Sequence, residues 1–479
     1  MAYLIHKPEI KLARKRSSSL TNTTRFVMDE RFSDLGRDRS YLIQTHGCQA
    51  NESDSERIAG LLVAMGFSPA KSVETADLII INTCAVRENA EAKVFGEIGR
   101  LKQFKESNPN MILAIAGCMP QEEVVVEKIL KTYRHVDIVF GTHNLHQLPQ
   151  YLDLVIREKR QLIDVFSEEG DIVENVPAVR ANRFKAWVNI MYGCDEFCTY
   201  CIVPYTRGKE RSRHADDIVS EIKGLIADGY QEVTLLGQNV NAYGLDLPDG
   251  SITFADLLET LSLLPIPRIR FTTSHPKDFS PRLIEVLSRG KNLMPYIHLP
   301  VQSGSNRILT AMNRKYTRES YLDLVHALRE QIPGVSLTTD IIVGFPGETE
   351  TDFCETLSLV EAADFEGAYT FIYSKRSGTP AANYTDDVLP SIKKERLHRL
   401  NQIVNAGYLK GNQRFANQVV EVLVEGMSKT DPHRLAGYTP HNKIVNFTGP
   451  IDAIGSLVWV RITHVNTWSL LGEMVAFKN

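Results

Sequence analysis

The sequence has no apolar run long enough to cross a bilayer, and its first residues lack the apolar core of a secretion signal. Both absences predict a cytoplasmic protein with no membrane partner. An excess of one charge is missing too. Lys and Arg total 54 against 58 Asp and Glu, a net charge of −4, so any nucleic-acid footprint has to be local. Cysteine is scarce, with seven in 479 residues. In a reducing compartment so few thiols argue for metal binding or catalysis over disulfides. No His/Glu pair stands out as acid–base machinery. The rest is ordinary: 43% hydrophobic and 23% charged residues, in a length that suggests about three domains.

Three of the seven cysteines stand at the spacing C-x3-C-x2-C, in Gly193-Cys194-Asp195-Glu196-Phe197-Cys198-Thr199-Tyr200-Cys201, just after the apolar strand Ala186–Met191. Soft thiolates select iron–sulfur clusters and zinc over hard cations. Zinc would want a fourth ligand, and no His or Cys follows within ten residues of Cys201. Three ligands on a four-iron cubane leave one iron open for a substrate. A structural zinc knot and plain loop thiols are the competing readings.

A second trio is spread along an α/β pattern that begins at Tyr41. The runs Tyr41–Thr45, Leu78–Asn82 and Ile112–Ala116 are near-continuous apolar strands, separated by the amphipathic stretches Ser55–Met65 and Ala90–Phe104. This predicts a parallel sheet buried on both faces. Each strand runs into a cysteine: Cys48, Cys84 and Cys118. Ligands bind beyond the carboxyl ends of such strands, so the three are expected to meet at one edge as a second cluster site. One buried thiol there would be unremarked core; three in succession are not.

Residues 1–39 read as a basic, flexible tail around Arg14-Lys15-Arg16-Ser17-Ser18-Ser19, residues 40–155 as the first domain, and 156–182 as an acidic linker. From 183 to 411 strands are expected near 184–191, 232–239, 268–273, 296–301, 337–343 and 369–374, with helices such as Asp216–Asp228 and Arg318–Gln331. Six βα units are too few for a closed eightfold barrel, so a partial (β/α)6 barrel is predicted. A basic helix, Ile392–Asn412, leads to short period-two strands at 419–424, 443–447 and 457–462, a small β-barrel over 412–479 of a kind that often binds RNA.

These motifs resemble the radical S-adenosylmethionine (SAM) methylthiotransferases over about residues 40 to 478, and within them the branch that acts on tRNA. The resemblance rests on Asn82-Thr83-Cys84-Ala85-Val86-Arg87-Glu88 with Lys93-Val94-Phe95, and on Gly193–Cys201 with Val203-Pro204-Tyr205-Thr206-Arg207-Gly208. It extends through Leu236-Gly237-Gln238-Asn239-Val240-Asn241, Phe271-Thr272-Thr273-Ser274-His275-Pro276 and His298-Leu299-Pro300-Val301-Gln302-Ser303-Gly304. His46 and Ala50 depart from the pattern, where the family usually has an aromatic residue and Met.

The family implies an α/β fold in three parts, the last a TRAM-like barrel. It implies two [4Fe–4S] clusters, one on Cys194, Cys198 and Cys201 that chelates and cleaves SAM, and an auxiliary one on Cys48, Cys84 and Cys118 that delivers sulfur. The resulting 5′-deoxyadenosyl radical would take hydrogen from C2 of N6-dimethylallyladenosine at position 37, beside the tRNA anticodon, and a second SAM would give the methyl group. The clusters and SAM carry that chemistry, so no side chain is expected as acid or base. SAM contacts are expected from Gln238, Asn239, Gln302, Asp340 and Tyr200, with Gly344-Phe345-Pro346-Gly347-Glu348 as a turn near the adenine. Phosphate contacts are expected from Arg207, Lys209, Arg211 and Arg213, a run of four cations and one acid beside the radical loop. Cys354 reads as a buried structural thiol. The chain is expected to act as a monomer on a tRNA anticodon stem-loop, with a flavodoxin- or ferredoxin-like electron donor and a sulfur source. Rival readings are a methylthiotransferase for threonylcarbamoyladenosine or for a ribosomal-protein aspartate, and a non-enzymatic iron–sulfur RNA-binding protein.

Overall fold

Alternate residues of one strand show how the first domain forms. Leu78 and Ile80 point into one apolar core, with Ile58, Leu61 and Ala114, while Ile79 and Ile81 point into another, with Val94, Ile98 and Leu113. A parallel strand with helices on both sides has no solvent face, which is why its sequence reads as an unbroken apolar run. In the computed structural model, which describes residues 4–9, 21–85, 88–248 and 252–478, this strand lies in a seven-stranded sheet.

The first domain's strands, in chain order, are β1 Leu4–His6, β2 Thr23–Arg25, β3 Ser40–His46, β4 Ser68–Pro69, β5 Leu78–Thr83, β6 Ile112–Gly117, β7 Ile138–Phe140, β8 Leu162–Asp164 and β9 Ile172–Glu174. The sheet order is β1-β8-β7-β6-β5-β3-β4, and β2 pairs with β9 apart from it. Two expectations are corrected here. Residues 1–39 are not simply a tail, because β1 pairs in parallel with β8, His6 meets Asp164 at 3.0 Å, and Phe32 is buried. Nor is 156–182 only a linker, since it supplies β8 and β9. The strands in both segments are three residues long, too short to show a period, and only their pairing partners define them. The basic run Arg14–Ser19 lies outside the described residues.

The second domain follows the predicted order closely: β10 Lys185–Asn189, the short antiparallel pair β11 Met191–Tyr192 and β12 Arg211–Ser212, then β13 Glu232–Leu236, β14 Arg268–Thr272, β15 Tyr296–His298, β16 Ser336–Val343 and β17 Ala368–Ile372. The six parallel strands form two halves, β10-β13-β14 and β15-β16-β17. A single parallel bridge, Ile269 to Leu293, carries the sheet across the seam. Helices including Ala215–Ala227 and Arg318–Gln331 cover the outside.

The helix Pro390–Gln413 leads into a closed barrel of β18 Val419–Met427, β19 Leu435–Tyr438, β20 Ile444–Thr448, β21 Leu457–Val465 and β22 Leu470–Phe477, ordered β18-β19-β20-β22-β21. Val422, Val424, Val445, Phe447, Val458 and Val460 fill it from alternate positions.

Candidate functional site

The order β6-β5-β3 sets three strand ends side by side, and Cys48, Cys84 and Cys118 stand just past them. Side-chain amides lace these ends together. The buried Asn51 Nδ2 donates to Asn82 Oδ1 (3.2 Å) and to the Thr83 carbonyl (3.1 Å), and Asn82 Nδ2 donates back to the Asn51 carbonyl (2.8 Å). Thr83 Oγ1 donates to the Ala116 carbonyl and the Cys118 amide to the Thr83 carbonyl, each at 2.8 Å. Gly117 turns the last strand into its cysteine at φ +98°; a Cβ there would sit 2.4 Å from both Asn82 Oδ1 and the Thr83 carbonyl. The rest of the Asn82–Glu88 motif includes Val86 and Arg87, outside the described residues.

The other trio lies on the loop after β11. Gly193 opens it at φ +73°, where a Cβ would meet the Lys209 carbonyl at 1.9 Å. The Cys194 amide donates to the Gly208 carbonyl (3.1 Å). Asn313 Nδ2 clamps the middle of the loop through the carbonyls of Glu196 (3.2 Å) and Phe197 (3.0 Å). Arg314 Nη1 reaches Cys198 Sγ at 3.2 Å, while its Nη2 holds the Pro300 carbonyl at 3.0 Å. Asn313 and Arg314 escape a reading of the sequence. They lie over 100 residues from the cysteines they serve, in a turn without period or spacing to mark it.

The two trios are neighbours across the domain boundary. Ala85 and Cys118 pack with Ile202 and Tyr205, and Phe197 closes against them. Thr142 Oγ1 donates to the Thr206 carbonyl at 2.9 Å, and Arg207 crosses from the second domain to donate through Nε to Cys118 Sγ (3.2 Å) and through Nη2 to Asp54 (2.8 Å).

Burial pushes the Cys118 thiol up to about 11 and the Cys201 thiol up to about 12, and it raises Cys194 as well. Cys48 is exposed and moves the other way, to about 5; contact with the Cys84 sulfur is the main cause, and the charge of Arg207 adds to it. Buried thiols that resist ionisation in isolation suit a cationic centre that would take up their negative charge.

Arg207, Arg211 and Arg213 are corrected as phosphate contacts. All three are buried. Arg211 donates to the Gly170 carbonyl (2.7 Å), and Arg213 pairs with both Glu174 oxygens (2.6 Å each) and with Glu221 (2.7 Å). A desolvated guanidinium needs such partners. Lys209 is half-buried. Cys354 is also corrected: its thiol is exposed, 3.6 Å from Glu350 Oε1.

Gln238 and Asn239 follow the carboxyl end of β13, and Gln302 follows that of β15. Asn239 is buried, its Nδ2 donating to Asp278 (2.7 Å) while its Oδ1 has no hydrogen-bond partner. Gln302 stands at φ +71°, and its amide donates to the Asp340 carbonyl (2.8 Å). Asp340 lies within β16, its carboxylate 3.3 Å from His298 Nε2. Tyr200 packs against Phe345 and Tyr373.

Family models match three stretches of the chain: the radical SAM superfamily at residues 188–360, the uncharacterized protein family UPF0004 at 40–141, and the TRAM domain at 413–475. A protein of Anoxybacillus flavithermus named tRNA-2-methylthio-N(6)-dimethylallyladenosine synthase is 57% identical over 98% of this chain and 89% of its own length. The protein of that name from Bacillus subtilis is 55% identical over 98% of this chain and 92% of its own. The chain belongs to the tRNA-2-methylthio-N(6)-dimethylallyladenosine synthase family. A solved radical SAM methyltransferase, TsrM from Kitasatospora setae, shares the fold at TM-score 0.52 and 15% identity, over 72% of this chain and 75% of its own.

Membership in this synthase family brings [4Fe–4S] clusters and SAM, and the donor sets fit them. Among the described residues, the group whose ligand atoms all lie within 4.8 Å of one another is Glu196, His275 and Asp278, not either cysteine trio. Three soft thiolates at each site suit an iron–sulfur cubane with one iron left open. The Glu196 group is no rival metal site, because Lys277 (2.5 Å) and Lys315 (3.3 Å) already neutralise Glu196.

Proposed function

We propose that this protein inserts sulfur and a methyl group at C2 of N6-dimethylallyladenosine at position 37 of tRNA, with SAM serving as methyl donor and as radical source. The observation that carries this reading is the apposition of two cysteine trios across one small apolar cluster, Ala85 and Cys118 against Ile202, Tyr205 and Phe197. A single radical centre would need only one trio. Two that face one gap suit a reaction in which a carbon is first activated and then given sulfur.

When bound, the cluster at Cys194, Cys198 and Cys201 with SAM supplies a 5′-deoxyadenosyl radical, and the auxiliary cluster at Cys48, Cys84 and Cys118 supplies sulfur. The chain's own residues bind and shield. The partnerless Asn239 Oδ1 is an acceptor in search of a donor, which the SAM ammonium or ribose can provide. Gln238, Gln302 and Asp340 are the further polar groups we assign to SAM, and Tyr200, packed on the apolar cluster that holds Phe345, is assigned to keep water out. Lys209 and the C-terminal barrel are the proposed tRNA contacts. We assign the protein to the cytoplasm, as a monomer served by a flavodoxin- or ferredoxin-like donor and a sulfur source; no helix among the described residues is long and apolar enough to cross a membrane.

The test is anaerobic turnover of the reconstituted protein with SAM, a reductant and an anticodon stem-loop carrying dimethylallyladenosine. Mass spectrometry of the digested RNA should show the methylthio nucleoside. Product only on a threonylcarbamoyladenosine stem-loop, or only on a ribosomal protein, would overturn the assignment.

A further inference from the structure

Arg207 is an expensive residue to bury. It is 8% exposed, it sits where the chain leaves the radical loop, and its side chain points out of its own domain into the first. Asp54, also buried, balances its charge at 2.8 Å. That pairing uses only Nη2. Nε is aimed elsewhere, at Cys118 Sγ, 3.2 Å away. Its base is held firmly. The Arg207 amide donates to the Val203 carbonyl (2.9 Å), and the preceding carbonyl, of Thr206, accepts from Thr142 Oγ1 of the first domain. The other trio shows the same device within one domain, with Arg314 on Cys198. Of the two, it is the Cys118 site that borrows its arginine from across the boundary.

We infer that Arg207 is a positioning residue of the auxiliary site: from the neighbouring domain it donates a hydrogen bond to the Cys118 sulfur and so sets the reduction potential of the cluster that Cys48, Cys84 and Cys118 hold. This rests on the cluster reading of that trio. Reduction adds negative charge to a cluster. A nearby guanidinium and an N–H donor to a ligand sulfur both favour the reduced form, so they raise the potential. Asp54 fixes the direction of the donor. A lysine at 207 has one nitrogen in place of the planar fork, and it cannot hold Asp54 and Cys118 at once.

The experiment uses the full chain with Cys194, Cys198 and Cys201 all replaced by Ala, so that only the auxiliary site can load, reconstituted anaerobically with iron and sulfide. Iron is counted first. A four-iron cluster should load at about four irons per chain; if no cluster forms in this background, the cluster reading of the trio fails, and the arginine proposal falls with it for a distinguishable reason. A redox titration followed by electron paramagnetic resonance then compares Arg207 with Arg207→Gln and Arg207→Lys. Both variants should titrate at a more negative midpoint, Gln further than Lys. A variant with full iron and the parent midpoint would overturn the proposal, and either variant alone is enough to decide this if the other fails to load. A purely structural strut would change loading without moving the midpoint of the loaded fraction.

Discussion

Arg213 holds both oxygens of Glu174 and one of Glu221, and it also donates to the Asn189 carbonyl. In the sequence it is one more cation in a run that reads as a solvated, phosphate-facing stretch. Its partners come from β9 and from the next helix, and nothing in the run itself marks them. Removing one member of a buried pair strands the others, so Arg213→Ala should cost about 3–5 kcal/mol in urea unfolding. It should leave the salt dependence of tRNA binding unchanged, because no released counterion belongs to it. Gly193 makes the opposite case, legible once the loop is recognised. A Cβ at 1.9 Å from the Lys209 carbonyl forces the radical loop to move, so Gly193→Ala should lower reconstituted iron from about eight to about four per chain, with the auxiliary site still loaded. Full iron in that variant would show that the loop tolerates the shift. The placing of the cysteines, three on one loop and three past neighbouring strand ends, is legible because spacing and strand pattern are local. Arg207 and Arg314 are not, because what defines them is the sulfur each one touches.

The elements divide in the same way. Long strands with a two-faced apolar pattern, such as β5 and β16, stand where the sequence places them. β1, with three residues, shows no period of its own and is defined only by its pairing with β8. Within the C-terminal barrel β19 and β22 escaped prediction; the first is only Leu435-Ala436-Gly437-Tyr438, and the second becomes exposed towards its end. Because β1 covers the edge of β8, deleting residues 1–9 should uncover a row of unpaired backbone groups. The expected result is a lower thermal midpoint with light scattering at the transition. An unchanged midpoint and a clear solution would mean that β1 adds nothing to the sheet.

At the scale of the whole molecule, buried ion pairs fix the domains to one another. Arg268, fully buried, donates from β14 to Glu421 of β18 (2.9 Å) and to the Tyr438 carbonyl (2.8 Å), and Arg270 reaches the carbonyls of Thr439 and Pro440. Lys443 meets Glu366 at 2.9 Å. These pairs bridge segments far apart in sequence, so the three domains could be recognised from the sequence but their docking could not. Radical formation belongs, on the proposed function, to one side of the first interface and sulfur delivery to the other. Replacing Cys48, Cys84 and Cys118 with Ala should therefore leave SAM cleavage, measured as 5′-deoxyadenosine, while stopping methylthiolation. The most direct test is mass spectrometry of tRNA nucleosides from cells lacking this protein, complemented with the wild type or with that triple variant. The expected result is that 2-methylthio-N6-dimethylallyladenosine disappears, returns with the wild type, and does not return with the variant, while dimethylallyladenosine accumulates. An unchanged level of the methylthio nucleoside in the deletion, or its recovery with the variant, would contradict the division of labour between the two trios.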